Sequence, residues 1–598
     1  MNYPTLNVLQ TGRDMVQTFR GYNHNLRISE NEFYDMKNMT SSLYPILAPR
    51  GKRGLYAPKS GEAEINPQGL IAKDNLCYVD GSAMVINGYR VDMNLSTDED
   101  MCPKTLVSMG AYIIILPDKK YLNTTDLTDF GNIEASVTTV DAVTFTLCKI
   151  DSTEYGVEAS ASEPEAPKNY ELWLDSSTTP HTLKQWSESS SMWVPIATTY
   201  IKIESAGIGV PFEKYDGVTI EGLKGETLID ITTGEAIEDT SDLSQIDGNF
   251  IIWEKGDNHI VIIGMLDVTR TITNSITVKR EMPDVDFIVE SKNRLWGCKY
   301  GVAKNGEVVN EIYASKLGDF KNWNCFMGIS SDSYVVSVGT DGQFTGAVTY
   351  LGYPIFFKEK YMHKVYGDYP ATYKVMDTAC RGVQRGSEKS LAIVNEILYY
   401  KSTMAVCAYD GSLPQEISYA LGEEHYTDAV GCAHGNKYYI SMKDRKGDYH
   451  LFVYDAAKGM WHREDDTAVK CFCSCKDELY YIEGNSIKTV NGSGESAEDK
   501  VEWMAETGVI GTDSPDKKYI SRINVRMSLE IGARVTFYCQ YDSMGEWEHI
   551  CTMPGTSLRS FSVPIRPRRC DHFRLRIVGE GEARIYSVSK TVEEGSDI

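Results

Sequence analysis

Between Ala392 and Val490 the alternation of apolar and polar residues repeats three times. Each unit has an apolar run, a polar turn, a run with a Tyr-Tyr pair, a second turn and a third apolar run. The pairs begin at Tyr399, Tyr438 and Tyr480, about 40 residues apart, which is the period of a β-propeller blade. Short runs rich in Val, Ile, Tyr and Phe predict hairpins, and hairpin sheets bury both faces when they pack around an axis. The pattern predicts a propeller. A β-sandwich with irregular strands is the alternative, and it gives no reason for a fixed period.

The same pattern recurs elsewhere in the chain, but not evenly. Further units centre near Tyr78, Ile114, Trp296 and Phe356, so roughly six to eight blades are expected. The step from Ile114 to Trp296 is far longer than one period, which predicts an insertion of about 140 residues. The predicted fold is all-β: a β-propeller with an inserted β-rich platform domain and a C-terminal β-sandwich. The predicted divisions are an N-terminal arm with a short helix (1–54), first propeller blades (55–130), the inserted domain (131–285), remaining blades (286–500) and the sandwich (501–598).

Local signals at the two ends of the chain predict different structures. Ser29 and Glu32 have the spacing of a capping box and predict a short helix from Glu30 to Asn38. After Glu502, about six alternating runs predict a small sandwich of roughly 90 residues. In Phe573–Val578 apolar residues alternate with arginines, so one face of that strand is expected to be buried and the other charged.

Composition excludes several classes of protein. The 598 residues carry a net charge of -24, which argues against ordinary tight DNA binding because that requires a basic face. No apolar run approaches the roughly 20 residues that cross a bilayer, so no membrane span is expected. The first 20 residues are polar and predict no secretory signal. The 14 cysteines are scattered, which indicates reduced core residues in a chain made in a cytoplasm.

Two groups of residues could bind a metal, but for both a structural role is the favoured interpretation. Cys471, Cys473 and Cys475 alternate and would share one side of a strand, yet a second pair with zinc-site spacing is missing. Histidines of one hairpin could meet, but histidines in strands are usually structural. They are His434, His450 and His462. The sequence therefore predicts no metal site, no cofactor and no assignable catalytic residue.

Propeller glycosidases provide the nearest comparison for an enzyme. Asp455–Trp461 and Asp542–Trp547 look superficially like the Asp-containing turns of sialidase blades but do not match them, and no triad of arginines is evident. A catalytic carboxylate pair cannot be selected from 84 Asp and Glu residues without a structure. The basic cluster Arg566–Arg569 is expected to be a solvated loop that pairs with acidic neighbours rather than a DNA contact.

Two stretches resemble one known family. Phe19–Asn38 contains Gly-x-Asn, a Leu and then Glu followed by Asn six residues later, and Tyr44–Gly51 follows with its prolines and arginine. Ile312–Trp323 contains Tyr-x-Ser and then Gly-Asp-x-x-x-Trp. Together they resemble the tail nozzle proteins of short-tailed phages, also called tail tubular or packaged-DNA stabilisation proteins. The resemblance is weaker over the insert, and the C-terminal sandwich departs from short family members.

The resemblance implies a structural virion protein without enzyme activity. Such a protein would form a homo-oligomeric ring of six copies through which phage DNA is retained and ejected, without sequence-specific binding. It would be made in the bacterial host cytoplasm and reside in the virion tail, with portal-adaptor proteins and tail fibre or tip proteins as partners. An acidic lumen would repel phosphate, which suits such a channel.

Two alternative functions stay open from the sequence. The first is a propeller glycoside hydrolase that acts on bacterial surface polysaccharide and carries a C-terminal carbohydrate-binding sandwich. The second is a non-enzymatic scaffold whose propeller faces bind other proteins.

Overall fold

A computed structural model describes residues 11–56, 65–304, 306–511, 518–555, 557–565 and 568–594. It confirms the all-β prediction: a β-propeller, an inserted β-rich domain and a C-terminal β-sandwich. Helical structure in these ranges is confined to one α-helical turn, Ser241–Ser244, and to 3-10 turns at Glu99–Met101, Pro370–Thr372, Glu388–Ser390 and Tyr419–Leu421. None of the helices in the described residues is long and apolar enough to span a membrane.

Seven sheets of sequential strands form the blades in the described part of the chain. Two blades precede the inserted domain: blade 1 has Pro67–Ala72, Leu76–Asp80, Ala83–Ile86 and Tyr89–Asp92, and blade 2 has Thr105–Met109, Tyr112–Leu116, Lys120–Asn123 and Phe130–Asn132. After the inserted domain, blade 3 has Phe287–Ser291, Arg294–Val302, Val308–Ala314 and Tyr334–Ser337, and blade 4 has Phe344–Tyr350, Tyr353–Lys358, Tyr361–Tyr366 and Lys374–Ala379. Blade 5 has Ala392–Val394, Ile397–Lys401, Val406–Tyr409 and Gln415–Glu416; blade 6 has Thr427–His434, Lys437–Lys443, Tyr449–Asp455 and Met460–Arg463; blade 7 has Cys471–Cys475, Glu478–Glu483, Ser486–Thr489 and Glu495–Ser496.

Blade 7 is completed by a strand from near the N-terminus. Gly54–Leu55 lies between Ser486–Thr489 and Glu495–Ser496 and pairs antiparallel with both. Blade 7 also packs on blade 1, because Ile482 and Ile487 share a core with Tyr78. The first and last blades are therefore joined by both backbone pairing and apolar contact.

The chain divides into two compact units. Unit 1 contains Met1–Leu106, Gly342–Lys364 and Asp377–Ile598, and unit 2 contains Val107–Asp341 and Val365–Met376. In unit 1 one continuous apolar core joins the sandwich to blades 5 and 6, with Trp503 and Tyr438 among its buried members. In unit 2, Trp323 is buried with Ile114 and Leu295, so blades 2 and 3 share a core.

The inserted domain belongs to unit 2 and consists of three sheets. The first contains Ala135–Thr138, Thr277–Arg280, Gly217–Glu221 and Gly248–Ile251; the second contains Glu254–Gly256, His259–Ile263, Tyr200–Glu204, Val143–Cys148 and Arg270–Ile272; the third contains Ala159–Ser160, Leu172–Asp175, Thr182–Ser187 and Met192–Pro195. The first two sheets enclose an apolar core. Asp216, which is buried and ion-paired with Arg280, also accepts a hydrogen bond from Asn322, in the loop between the third and fourth strands of blade 3.

Two sheets form the sandwich, and each has an N-terminal strand at its edge. One contains Thr11–Val16, Ala583–Glu594, Lys518–Leu529 and Arg559–Val563, with Arg569–Cys570 beside it; the other contains Phe33–Lys37, Glu502–Thr507, Phe573–Glu580, Arg534–Tyr541 and Glu548–Pro554. A short pair, Met39–Thr40 and Ala48–Pro49, follows. The predicted alternation is confirmed: Phe573, Leu575 and Ile577 are buried, whereas Arg574 and Arg576 both pair with Glu506.

The predicted helix from Glu30 to Asn38 is wrong. The Ser29 amide does donate to Glu32 Oε2, and the Glu32 amide to the Ser29 carbonyl, but these bonds close only a turn. Phe33–Lys37 then pairs antiparallel with Glu502–Thr507. Phe33 and Met36 reach the sandwich core from this strand. A distant partner strand thus overrides a local helix signal.

Candidate active site

A polar pocket of about 540 Å³ lies within unit 1. Its walls are the N-terminal segment 40–51, the hairpin and outer strand of blade 6, the end of blade 7 and the start of the last sandwich strand. Carboxylates, amides and cations dominate the lining: Asp455, Glu464, Glu582, Asn436, Asn491, His434, Arg50, Lys437, Lys458 and Arg584. A concave site with convergent polar groups is the usual setting for binding and catalysis.

Glu464 is the buried carboxylate of this pocket that is held by an arginine. It follows the last strand of blade 6 and is 3% exposed. Its Oε2 pairs with Nη2 of Arg53, which is 2% exposed. Burial lowers the pKa of Arg53, but the Glu464 and Asp465 charges outweigh burial and raise it well above its ordinary value. The other oxygen, Oε1, has no hydrogen-bond partner in the described ranges, and Glu464 is among the residues that line the pocket.

Asp455 links the blade 6 turn to the N-terminal segment. Its carboxylate accepts hydrogen bonds from Ser41 Oγ (2.6 Å), Lys458 Nζ (2.9 Å) and the Lys458 amide (3.2 Å). Burial raises the pKa of Asp455, but these bonds and the Lys458 charge lower it below its usual value. Because all of these donors come from the protein, we assign Asp455 to holding the pocket wall in place.

Lys437, like Arg584, is a cation of the pocket that has no carboxylate within ion-pair distance in the described structure. Its Nζ donates to Thr40 Oγ1 (3.1 Å) and Ser42 Oγ (2.9 Å). Burial lowers the pKa of Lys437, and the Glu464 and Asp455 charges oppose that shift only in part. The ammonium group is therefore available to bind a polar or anionic group in the pocket.

Glu582 lies at the exposed side of the pocket, next to Arg584. Its side chain has no ion pair among the residues that the structure describes. It therefore differs from Glu464, which is buried against a fixed guanidinium. Two carboxylates in contrasting surroundings therefore line the same pocket.

The three histidines singled out from the sequence do not form one site. His434 Nδ1 is 3.0 Å from Ser474 Oγ and its Nε2 is 3.1 Å from Asn491 Nδ2, whereas His450 bonds to Asp444 and Arg463. Burial lowers the pKa of His434, so its imidazole is neutral at neutral pH. No group of three potential ligands that could hold a metal ion occurs in the described ranges.

The cysteines and the basic cluster are also placed by the structure. All 14 cysteines are free thiols, and Cys473 and Cys475 are buried in blade 7. In the basic cluster, Arg568 pairs with Glu548. Arg566 and Pro567 lie outside the described residues.

Replacing His462 by Leu is expected to make stability less dependent on pH. Burial and the Lys437 and Lys458 charges outweigh Asp455 and lower the pKa of His462 to about 3 in the folded protein. The unfolded chain takes up a proton near pH 6.5, so this group lowers stability as pH falls from 6.5 towards 3, by about 1.4 kcal/mol per pH unit. Between pH 6.5 and 4.5 the free energy of unfolding of wild type should fall by roughly 2–3 kcal/mol more than that of the variant, as measured by urea unfolding.

The matched control for this prediction is His549→Leu, which changes an exposed histidine of the sandwich. It should leave the pH dependence as in wild type. A His462→Leu protein whose stability falls with pH as steeply as wild type would contradict the neutral state assigned to His462.

Comparison with known proteins gives structural similarities only. No family model matches the chain, and no curated protein matches it. An exo-β-1,3-galactanase from Phanerochaete chrysosporium, solved with galactose, is 9% identical with a TM-score of 0.19, over 51% of this chain and 94% of that one. A family 43 arabinoxylan arabinofuranohydrolase from Bacillus subtilis, solved with cellotetraose, is 8% identical with a TM-score of 0.19, over 52% and 95%. Trypanosoma rangeli sialidase, solved with sialic acid, is 9% identical with a TM-score of 0.20, over 98% and 96%.

These findings correct the functional prediction from the sequence. The prediction of a structural virion protein without enzyme activity is contradicted, because the similar solved structures are glycoside hydrolases. The resemblance to the tail nozzle family stays a prediction. The six-membered ring, the portal-adaptor and fibre partners and the virion location stay predictions.

Proposed function

We propose that the protein is a glycoside hydrolase whose active site is the polar pocket of unit 1. The observation that carries the proposal is the pair Glu464 and Glu582, which open into one pocket but differ in burial and in ion pairing. Glycoside hydrolysis most often uses two carboxyl groups on either side of the scissile bond, one ionised and one that donates a proton.

The surroundings of each carboxylate assign its role. Arg53 binds one oxygen of Glu464, and we assign Glu464 the role of nucleophile or base. Glu582 is exposed and has no ion pair in the described structure, and we assign it the second role, donation of a proton to the leaving oxygen. Asp455 keeps Lys458 and Ser41 in place and does not take part in the chemistry.

The rest of the lining suits an acidic polysaccharide. Asn436 and Asn491 supply amide groups for sugar hydroxyls, and Lys437 is an ammonium without a carboxylate partner. The pocket has more cationic side chains than carboxylates, in a chain whose net charge is -24. A substrate that carries uronic or other acidic sugars is therefore favoured in this pocket over the rest of the surface.

Release of reducing sugar from a panel of purified bacterial surface polysaccharides, acidic and neutral, tests the proposal. Wild-type protein is expected to cleave an acidic member of the panel. Glu582→Gln should lower kcat/KM by roughly 100-fold and remove the alkaline limb of the pH profile, because that limb reports loss of the acid's proton. Asp410→Asn, which changes an exposed turn carboxylate in blade 5, is the matched control. Absence of cleavage by wild type, or an unchanged alkaline limb in the variant, would contradict the proposal.

A further inference from the structure

A second concave surface lies entirely within unit 2, between the inserted domain and the loop that joins the third and fourth strands of blade 3. This aromatic groove has a volume of about 800 Å³. Phe250 and Trp253 come from the strand ends of the inserted domain, Tyr215 precedes one of its strands, and Phe326 and Ile329 come from the loop. The glycosidase chemistry proposed above uses none of these residues.

The groove exposes aromatic surface that a folded chain normally buries. Phe326 is 51% exposed, Ile329 50% and Tyr215 41%. The Tyr215 and Trp253 rings lie 5.9 Å apart at 85°, so their faces point in different directions. Exposed apolar patches that are rimmed by polar groups mark interaction sites or ligand-binding grooves.

Contacts between the walls hold the groove open. The Tyr215 carbonyl accepts from Lys316 Nζ (3.1 Å) and Cys325 Sγ (3.3 Å), which tie the inserted domain to the loop. Gly217 packs so closely that an added Cβ would lie 2.4 Å from the Asn324 carbonyl oxygen. Because the walls are fixed before a ligand arrives, binding would cost little ordering of the protein.

The charge of the groove contrasts with the charge of the chain. The described residues that line the groove include no Asp or Glu, and Lys316 is the charged residue among them. Its polar rim consists of Asn249, Asn324 and Ser331. Thr219 Oγ1 donates to Asn249 Oδ1 (2.8 Å), which directs the amide nitrogen of Asn249 to other partners. A ligand that is neutral or acidic and rich in hydroxyls therefore meets no carboxylate here, although the net charge of the protein is -24.

We infer that the aromatic groove binds a polysaccharide strand at a site separate from the proposed active site. The electron-rich faces of Trp253 and Phe326 would pack against the C–H faces of sugar rings, since an aromatic face carries partial negative charge and a pyranose C–H partial positive charge. The Tyr215 ring forms part of the wall, with the ammonium groups of Lys214 and Lys316 at 5.5 and 5.8 Å from its centroid. The amides of Asn249 and Asn324 would bond to hydroxyls. A second copy of the chain is disfavoured as the occupant, because each copy carries the same large negative charge.

Affinity electrophoresis tests this inference by binding and not by hydrolysis. Native gels would contain xanthan, alginate, dextran or soluble peptidoglycan strands, and the Glu464→Gln background would keep the polymers intact. We expect retardation by at least one polymer. Trp253→Ala and Phe326→Ser should each raise the dissociation constant for that polymer by roughly tenfold. The matched control is Phe130→Ser, which changes another half-exposed aromatic of unit 2.

The outcomes separate the two proposals. Retardation that is lost in the groove variants supports the inference even if the polar pocket hydrolyses nothing. No retardation by any polymer, or equal retardation of Phe326→Ser and the parent protein, would overturn it. A change in mass by light scattering in Phe326→Ser would instead identify the groove as a contact between copies and would also overturn it. Because Phe326 is exposed, its substitution leaves the core intact, and an unchanged melting temperature verifies this.

Discussion

Glu464→Gln is expected to lower kcat/KM on the cleaved polysaccharide by at least roughly 1,000-fold. Gln has the same shape as Glu and can still accept a hydrogen bond from Arg53, but it cannot attack a sugar carbon or accept a proton. The loss should appear in kcat, since the amide still fills its place in the pocket wall. Steady-state release of reducing sugar measures both constants.

A rescue experiment separates chemistry from structure. In Glu464→Ala the carboxylate is missing and Arg53 faces an empty space, so added formate can occupy the site of the lost group. Activity that rises with formate in this variant, and not in Asp410→Asn, identifies Glu464 as the reacting carboxylate. If Glu464→Gln retains more than about a tenth of wild-type activity, a shortfall of only 1.4 kcal/mol in transition-state stabilisation, the assigned role is wrong.

Arg53→Ala is expected to destabilise the protein by about 3–5 kcal/mol. Both members of the Arg53–Glu464 pair are almost completely buried, at 2% and 4% side-chain exposure. Removing the guanidinium leaves the carboxylate without its counter-charge in a medium that solvates it poorly. Urea unfolding followed by tryptophan fluorescence measures the change.

The double variant Arg53→Met with Glu464→Leu provides the control. Replacing both partners by apolar side chains removes the charge and its desolvation cost together, so the double variant should be more stable than Arg53→Ala. Equal losses in the single and double variants would show that the pair does not act as a unit. If Arg53→Ala lowers the free energy of unfolding by less than about 1 kcal/mol, the Arg53–Glu464 pair stabilises the protein no more than a surface salt bridge does.

The repeating part of the fold could be predicted because each blade is built from local hairpins. Strands that are adjacent in the sequence are also adjacent in the sheet. The strand that contains Tyr438 pairs with the strands directly before and after it, so the local sequence is enough to predict the sheet. The N-terminal segment is different. Phe33–Lys37 is a strand because it pairs with Glu502–Thr507. The local signal at Ser29 and Glu32 does not indicate this distant partner.

The candidate site could not be predicted for the same reason. Glu464 is defined by Arg53, which lies 411 residues earlier in the chain, and neither residue belongs to a recognisable motif. The Asp455 turn was visible in the sequence as a poor match to a sialidase turn, and the structure gives it a supporting role in the pocket wall. The aromatic groove depends on the approach of the 324–331 loop to the inserted domain, and no local pattern encodes that approach.

The strand Gly54–Leu55 also sets an order of events during synthesis. Its partners at Ser486–Thr489 leave the ribosome about 430 residues after it does. At bacterial or eukaryotic elongation rates this corresponds to a wait of roughly 20 to 90 s. During that time the N-terminal segment has no partner in blade 7, and it has to avoid pairing with the edges of blades that are already finished. Blade 7 is therefore completed late in synthesis, and Phe33–Lys37 waits longer still for its partner Glu502–Thr507.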